Sequence, residues 1–130
     1  MIYLDSSALV KLALAEPESE SLTRWLSDRP NIVRVSSSII RVEVPRAVWR
    51  ADPTAVPESY QVITRMREIV MTDTVLAKAA MLRPPTLRAI DAIHLASALT
   101  IQDSLETLVA YDKRLLAAAQ EAGLPVASPA

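Results

Sequence analysis

At 130 residues, 51% of them hydrophobic and 22% charged, the chain is long and apolar enough to bury a core without disulfides, and its lack of cysteine excludes both a disulfide framework and thiolate chemistry. A formal net charge of −1 argues against simple binding of a nucleic-acid backbone, and no Phe, two Trp and three Tyr leave too few rings for a base-stacking platform. No segment approaches the roughly 18 uninterrupted apolar residues of a membrane span, and Met1-Ile2-Tyr3-Leu4 meets Asp5 at once with no basic segment before it, so a protein of the reducing cytoplasm is expected.

With one glycine against nine prolines, the chain favours helices punctuated by proline. Ile2-Tyr3-Leu4 reads as a buried strand, and Asp5-Ser6-Ser7 as the cap of a helix reaching about Ala15. Pro17 suits the first turn of a second helix ending near Ser27. Ile32 to Val35 is a predicted strand, and Ser36 to Ser38 are predicted caps of a helix through Arg50. A helix is expected over residues 57–68, a strand over Ile69 to Met71, and a helix capped by Thr72-Asp73-Thr74 through Leu82. Pro84-Pro85 ends that helix, and Thr86 is the predicted cap of a long helix over Leu87 to Thr100. Leu108 to Tyr111 reads as a strand, Asp112 to Ala122 as a helix stopped by Gly123, and Val126-Ala127 as a last short strand. Short apolar strands alternating with helices imply one α/β unit with a parallel sheet covered on both faces, whose ligands bind beyond the carboxyl ends of its strands.

Two acids stand at such ends. Asp5 closes the first strand and Asp112 a late one. Either alone reads as a helix N-cap; the two at equivalent strand ends point to a site. Asp91 lies inside an apolar helix, Leu87-Arg88-Ala89-Ile90-Asp91-Ala92-Ile93-His94-Leu95, where an unpaired carboxylate has poor propensity and a high burial cost. His94, three residues on, shares its face and reads first as a core-edge imidazole bonded to a neighbour. Glu43, between apolar residues in Val42-Glu43-Val44, reads on its own as a surface residue paired with Arg46.

Four segments together carry a resemblance: Asp5-Ser6-Ser7-Ala8-Leu9-Val10-Lys11, Val42-Glu43-Val44, Asp91-Ala92-Ile93-His94-Leu95-Ala96 and Tyr111-Asp112-Lys113-Arg114-Leu115. In order, spacing and total length the chain resembles a PIN-domain ribonuclease of the VapC toxin type. The resemblance implies a three-layer α/β/α fold over residues 1–130, with a central parallel sheet of four or five short strands. It implies an endoribonuclease toxin, usually a homodimer, held inactive by an antitoxin segment across its groove. Two departures stand out: Ala110 replaces a common Ser or Thr, and Pro45 removes a hydrogen bond inside the Glu43 helix.

The chemistry expected is metal-dependent hydrolysis of RNA. Clustered carboxylates need cations, and hard oxygen donors suit Mg²⁺, with Mn²⁺ as substitute. Asp5 and Asp91 are the expected main ligands, with Glu43 and Asp112 binding directly or through water. Ser6 and Ser7 are expected to position water or a ligand carboxylate, or simply to cap the helix. Loaded metal would also make a neutral chain attractive to phosphate. Arg41, Arg46, Arg88, Lys113 and Arg114 lie near the acids as candidate phosphate contacts, though each has a solvated-face reading, as does Lys11. Leu22, Trp25 and Leu26, or Val48 and Trp49, offer apolar faces to an antitoxin, with the chain's own core as the first reading. The competing assignments are a DNA-directed or structure-specific metal nuclease of the same fold, a non-catalytic interaction module whose acids only cap helices, and a phosphatase or receiver-type acidic pocket. The last is weakened by the absence of paired acids after the first strand.

Overall fold

A computed structural model describes residues 1–130. Five parallel strands form one sheet: β1 (Ile2–Leu4), β2 (Arg34–Ser37), β3 (Arg67–Ile69), β4 (Thr107–Val109) and β5 (Val126–Ala127), in the order β3-β2-β1-β4-β5. The helices are α1 (Ser6–Ala13), α2 (Ser19–Ser27), α3 (Ile40–Ala51), α4 (Val56–Thr64), α5 (Asp73–Ala80), α6 (Ala89–Thr100) and α7 (Lys113–Glu121).

The central strands β1 and β4 are buried at every residue because both faces of the sheet are covered there. Ile2 and Leu4 of β1 pack into one core with Leu9, Leu22, Val44, Val48 and Val62, from α1 to α4. Tyr3, between them, points the other way into a second core with Leu95, Ala98, Leu115 and Ala119 of α6 and α7. Val75 and Ala79 of α5 pack on Ala92 and Ala96 of α6 as an outlying cluster. This is the three-layer α/β/α arrangement that the strand–helix alternation implies.

Several boundaries differ from the sequence reading. The second strand is Arg34–Ser37 rather than 32–35, so Ser36 and Ser37 lie in the sheet and do not cap a helix. Ser36 Oγ donates to Leu4 O at 2.6 Å and the Ser37 N–H donates to the Tyr3 hydroxyl at 3.1 Å. The Ser36 hydroxyl is satisfied by β1, while Ser37 Oγ accepts from the Ile39 N–H at 3.2 Å just before α3. Pro17 lies before α2, which starts at Ser19; Ser19 Oγ accepts from the Glu16 N–H and donates to Leu14 O, closing the connecting loop. The third strand is Arg67–Ile69, because Ser36 and Ser37 pair with Glu68 and Ile69. The long helix begins at Ala89 with Arg88, not Thr86, at its cap position. Helix α3 runs on through buried Pro45. Gly123, at φ +89°, ends α7 in the left-handed conformation that glycine adopts without penalty.

Candidate active site

The strands β1 and β4 pair in register, Leu4 with Val109, so the residues after them emerge at the same edge. Asp5 caps α1 there: its Oδ1 accepts from the Ala8 N–H at 3.0 Å and from Ser7 Oγ at 2.6 Å. Asp112 caps α7, its Oδ1 accepting from the Arg114 and Leu115 N–H groups at 2.9 and 3.1 Å. Each Asp therefore spends one oxygen on its cap. Oδ2 of Asp5 takes no hydrogen bond from the chain, and Oδ2 of Asp112 faces Arg88. Capping and ligation are compatible in one side chain.

A groove of about 1200 Å³ opens over this edge, lined by Glu43, Asp91 and Asp112 together with Ser6 and Ser7. Asp5, only 2% exposed, does not itself line the groove, although Ser6 and Ser7, next to it in the chain, do. Burial pushes the Asp5 carboxyl up to about 6; nearby His94, Ser7 and the Ala8 N–H pull it down, and Glu43 pushes it up. Asp91 is raised too, first by burial and then by the negative charge of Asp112, while Arg88 works against both. Glu43 of α3, Asp91 of α6 and Asp112 after β4 thus share one groove, and Asp5, after β1, lies close enough to Glu43 to feel its charge.

Glu43 is no surface residue paired with Arg46. Its Oε1 lies 2.7 Å from His94 Nε2, and its Oε2 accepts from Ser6 Oγ at 3.1 Å. His94 is fully buried, with Nδ1 2.7 Å from the Tyr3 hydroxyl. Ser7 does more than cap: beyond its bond to Asp5, its Oγ accepts from the Tyr111 N–H at 3.0 Å, tying the end of β4 to α1.

Of the basic residues, Arg46 and Arg88 line the groove, joined by Lys11 and by Arg50, which the sequence reading passed over. Lys11 is held by Glu18 at 2.7 Å and Glu16 at 3.6 Å and sits over the Tyr111 ring. Arg41 pairs instead with Glu68, away from the acids. Lys113 is exposed outside the groove. Arg114 is a correction: its exposed side chain does not line the groove, and only its backbone N–H reaches Asp112. The sequence also gave no sign of Tyr3 as a polar partner, because a phenol within an apolar strand reads as core. Ala110 is fully buried and brings no hydroxyl to the edge. Leu22, Leu26 and Val48 belong to the chain's own core, while Trp49 is 60% exposed on the groove rim beside Val42 and Ile90.

The donor set is four carboxylates, all oxygen, and it matches a hard divalent cation. Burial and the crowding of negative charge, which raise Asp5 and Asp91, mark a place where added positive charge is favourable. No three of these side chains are oriented as a ready-made ligand cluster. Arg88, between Asp91 and Asp112, supplies the chain's own positive charge in part of that space.

Comparison with known proteins bears on the same residues. The family model described as PIN domain matches residues 2–121. Ribonuclease VapC35 of Mycobacterium tuberculosis is 40% identical over 131 residues, covering 99% of this chain and 97% of that protein. In three dimensions, VapC20 of Mycobacterium tuberculosis, described as a sarcin-ricin loop cleaving toxin, superposes with a TM-score of 0.79 at 18% identity over 99% of this chain and all of its own. VapBC2 from Rickettsia felis, solved on a DNA fragment from its promoter, gives 0.74 at 17% identity over the whole of both chains. The last two likenesses show the fold alone.

Proposed function

Because the chain belongs to the PIN-domain family, we propose that it is an endoribonuclease, the toxin of a toxin–antitoxin pair, which hydrolyses RNA phosphodiester bonds with Mg²⁺, or with Mn²⁺ in its place. One observation carries the reading: Glu43, Asp91 and Asp112, from three separate elements, line one groove at the carboxyl edge of the sheet with buried Asp5 close to Glu43, in a chain 40% identical to a ribonuclease.

Asp5 and Asp91 are the main proposed ligands. Asp5 offers its Oδ2, and Asp91 the oxygen that Arg88 does not engage. Glu43 and Asp112 complete the set, each already oriented by hydrogen bonds to its neighbours. A divalent cation there would activate a water for attack and neutralise the charge growing on the phosphate. Arg46, Arg50 and Arg88 flank the acids as phosphate contacts, and no side chain is required as a covalent nucleophile. The apolar rim of Val42, Trp49 and Ile90 is the proposed seat of an antitoxin segment. The working assembly is proposed as a homodimer in the cytoplasm; no helix is long and apolar enough to cross a membrane.

The test is purified chain incubated with total RNA and with single-stranded DNA, in Mg²⁺ or EDTA, beside Asp91→Asn. RNA cleavage by the unsubstituted chain in Mg²⁺ alone is expected. Cleavage that persists in EDTA or in the variant would sink the mechanism, and a preference for DNA would move the chain to a DNA-directed nuclease.

A further inference from the structure

Glu43 hangs on three rotatable bonds from α3, yet its carboxylate is gripped at both oxygens. Ser6 of α1 donates to Oε2 at 3.1 Å, and His94 of α6 meets Oε1 at 2.7 Å. Behind the imidazole, Tyr3 of β1 meets Nδ1 at 2.7 Å, and the Ser37 N–H of β2 donates to the phenol oxygen at 3.1 Å. Tyr3 and His94 are both fully buried, with no water-facing alternative for their polar atoms, and their rings pack edge to face, centroids 5.8 Å apart.

The proton positions follow from counting donors. The Glu43 carboxylate can only accept, so His94 Nε2 carries a hydrogen and donates to it. In the neutral ring Nδ1 is then the acceptor and takes the phenol hydrogen of Tyr3, whose oxygen accepts from the Ser37 N–H. Four elements, α1, α6, β1 and β2, thereby support a side chain carried by α3, and the helix that supplies His94 also supplies Asp91 three residues earlier.

We propose that Tyr3 and His94 form a buried hydrogen-bond relay that positions Glu43 for metal binding, His94 acting through Glu43 and touching neither metal nor RNA. The role rests on the reading of Glu43 as a metal ligand. Partners of this kind, one bond behind a ligand, typically change metal affinity by about 10- to 100-fold when removed. Fixing Glu43 before the ion arrives lowers the ordering cost of binding.

The measurement is Mn²⁺ affinity of the metal-free chain by calorimetry, with the melting temperature of each variant alongside. Tyr3→Phe keeps the ring and removes the hydroxyl; His94→Asn keeps a group only near the Nδ1 place, and His94→Gln puts a donor near the Nε2 place. Tyr3→Phe and His94→Asn are expected to weaken Mn²⁺ about 10- to 100-fold, and His94→Gln to recover most of that loss. In a Glu43→Ala background, Tyr3→Phe should have no further effect, because its route is gone. Should one His94 variant fail to fold, the Tyr3→Phe comparison and its double-substitution cycle decide the matter. Unchanged Mn²⁺ affinity in folded Tyr3→Phe, or equal effects of Tyr3→Phe with and without Glu43, would reduce the relay to core packing while leaving the metal reading intact. If the unsubstituted chain takes up no Mn²⁺, the metal reading falls and the relay with it.

Discussion

Arg88 reaches from the start of α6 to the start of α7 and donates from Nη2 to Asp112 Oδ2 at 2.6 Å. Its Nε lies 3.3 Å from Asp91 Oδ2, so one guanidinium spans two proposed ligands, and their charges hold it firmly protonated. A divalent ion and Arg88 compete for the same oxygens. Arg88→Gln should therefore tighten Mn²⁺ binding without RNA, by about two- to fivefold given the modest strength of exposed ion pairs, and weaken RNA binding through loss of a phosphate contact. Calorimetry on the metal-free variant checks this; unchanged or weaker Mn²⁺ binding would show that Arg88 does not compete.

Asp5 sets a pH dependence whose sign can be worked out. Its carboxyl is raised to about 6 in the fold, chiefly by burial, against roughly 3.9 in an unfolded chain. The folded state holds the proton more tightly, so stability is fully present below about pH 4 and is lost as pH rises through 6. At neutral pH without metal the penalty is of order 3 kcal/mol. Asp5→Asn keeps an oxygen for Ser7 and Ala8 but removes the charge. In metal-free melts, its stability relative to the parent should be more favourable at pH 7.5 than at pH 4, and its ribonuclease activity should be abolished. A relative stability that does not change between those pH values would contradict the assigned burial effect. Added Mg²⁺ should raise the melting temperature of the parent and not of the variant.

Asp112 separates the cap from the ligand. Asparagine caps helices about as well as aspartate, and Oδ1 alone makes the cap here. Asp112→Asn should leave stability within about 0.5 kcal/mol of the parent, while Asp112→Ala costs about 1 kcal/mol more. Both should lower ribonuclease activity at least about 100-fold, since loss of a ligand outweighs loss of the groups behind it, which costs up to about that much. Parent-like cleavage by Asp112→Asn would reduce the residue to a cap.

Trp49, 60% exposed on the groove rim, is a natural anchor for a partner, since buried tryptophans dominate many interfaces. Trp49→Ser should weaken binding of the cognate antitoxin by about 30-fold or more, matching the roughly 2 kcal/mol of a strong interface contact. Ribonuclease activity of the free chain should persist. Undiminished antitoxin affinity in a pull-down titration would move the docking surface elsewhere.

Much of this was legible along the chain because it is local. Three-residue apolar strands, Asp5 and Asp112 at strand ends, and the helix around Asp91 all depend on neighbours a few positions away, so the alternation of elements and the edge that carries the acids follow from the sequence. The boundaries that moved did so for non-local reasons: Ser36 and Ser37 are strand residues because β1 and β3 satisfy them. What only the tertiary structure decided is who faces whom. Glu43 meets His94 across 51 residues and Tyr3 meets His94 across 91, and Arg88 turned inward to Asp91 and Asp112. A buried polar atom takes whichever partner packing brings within about 3 Å, and no periodicity along a chain encodes that choice.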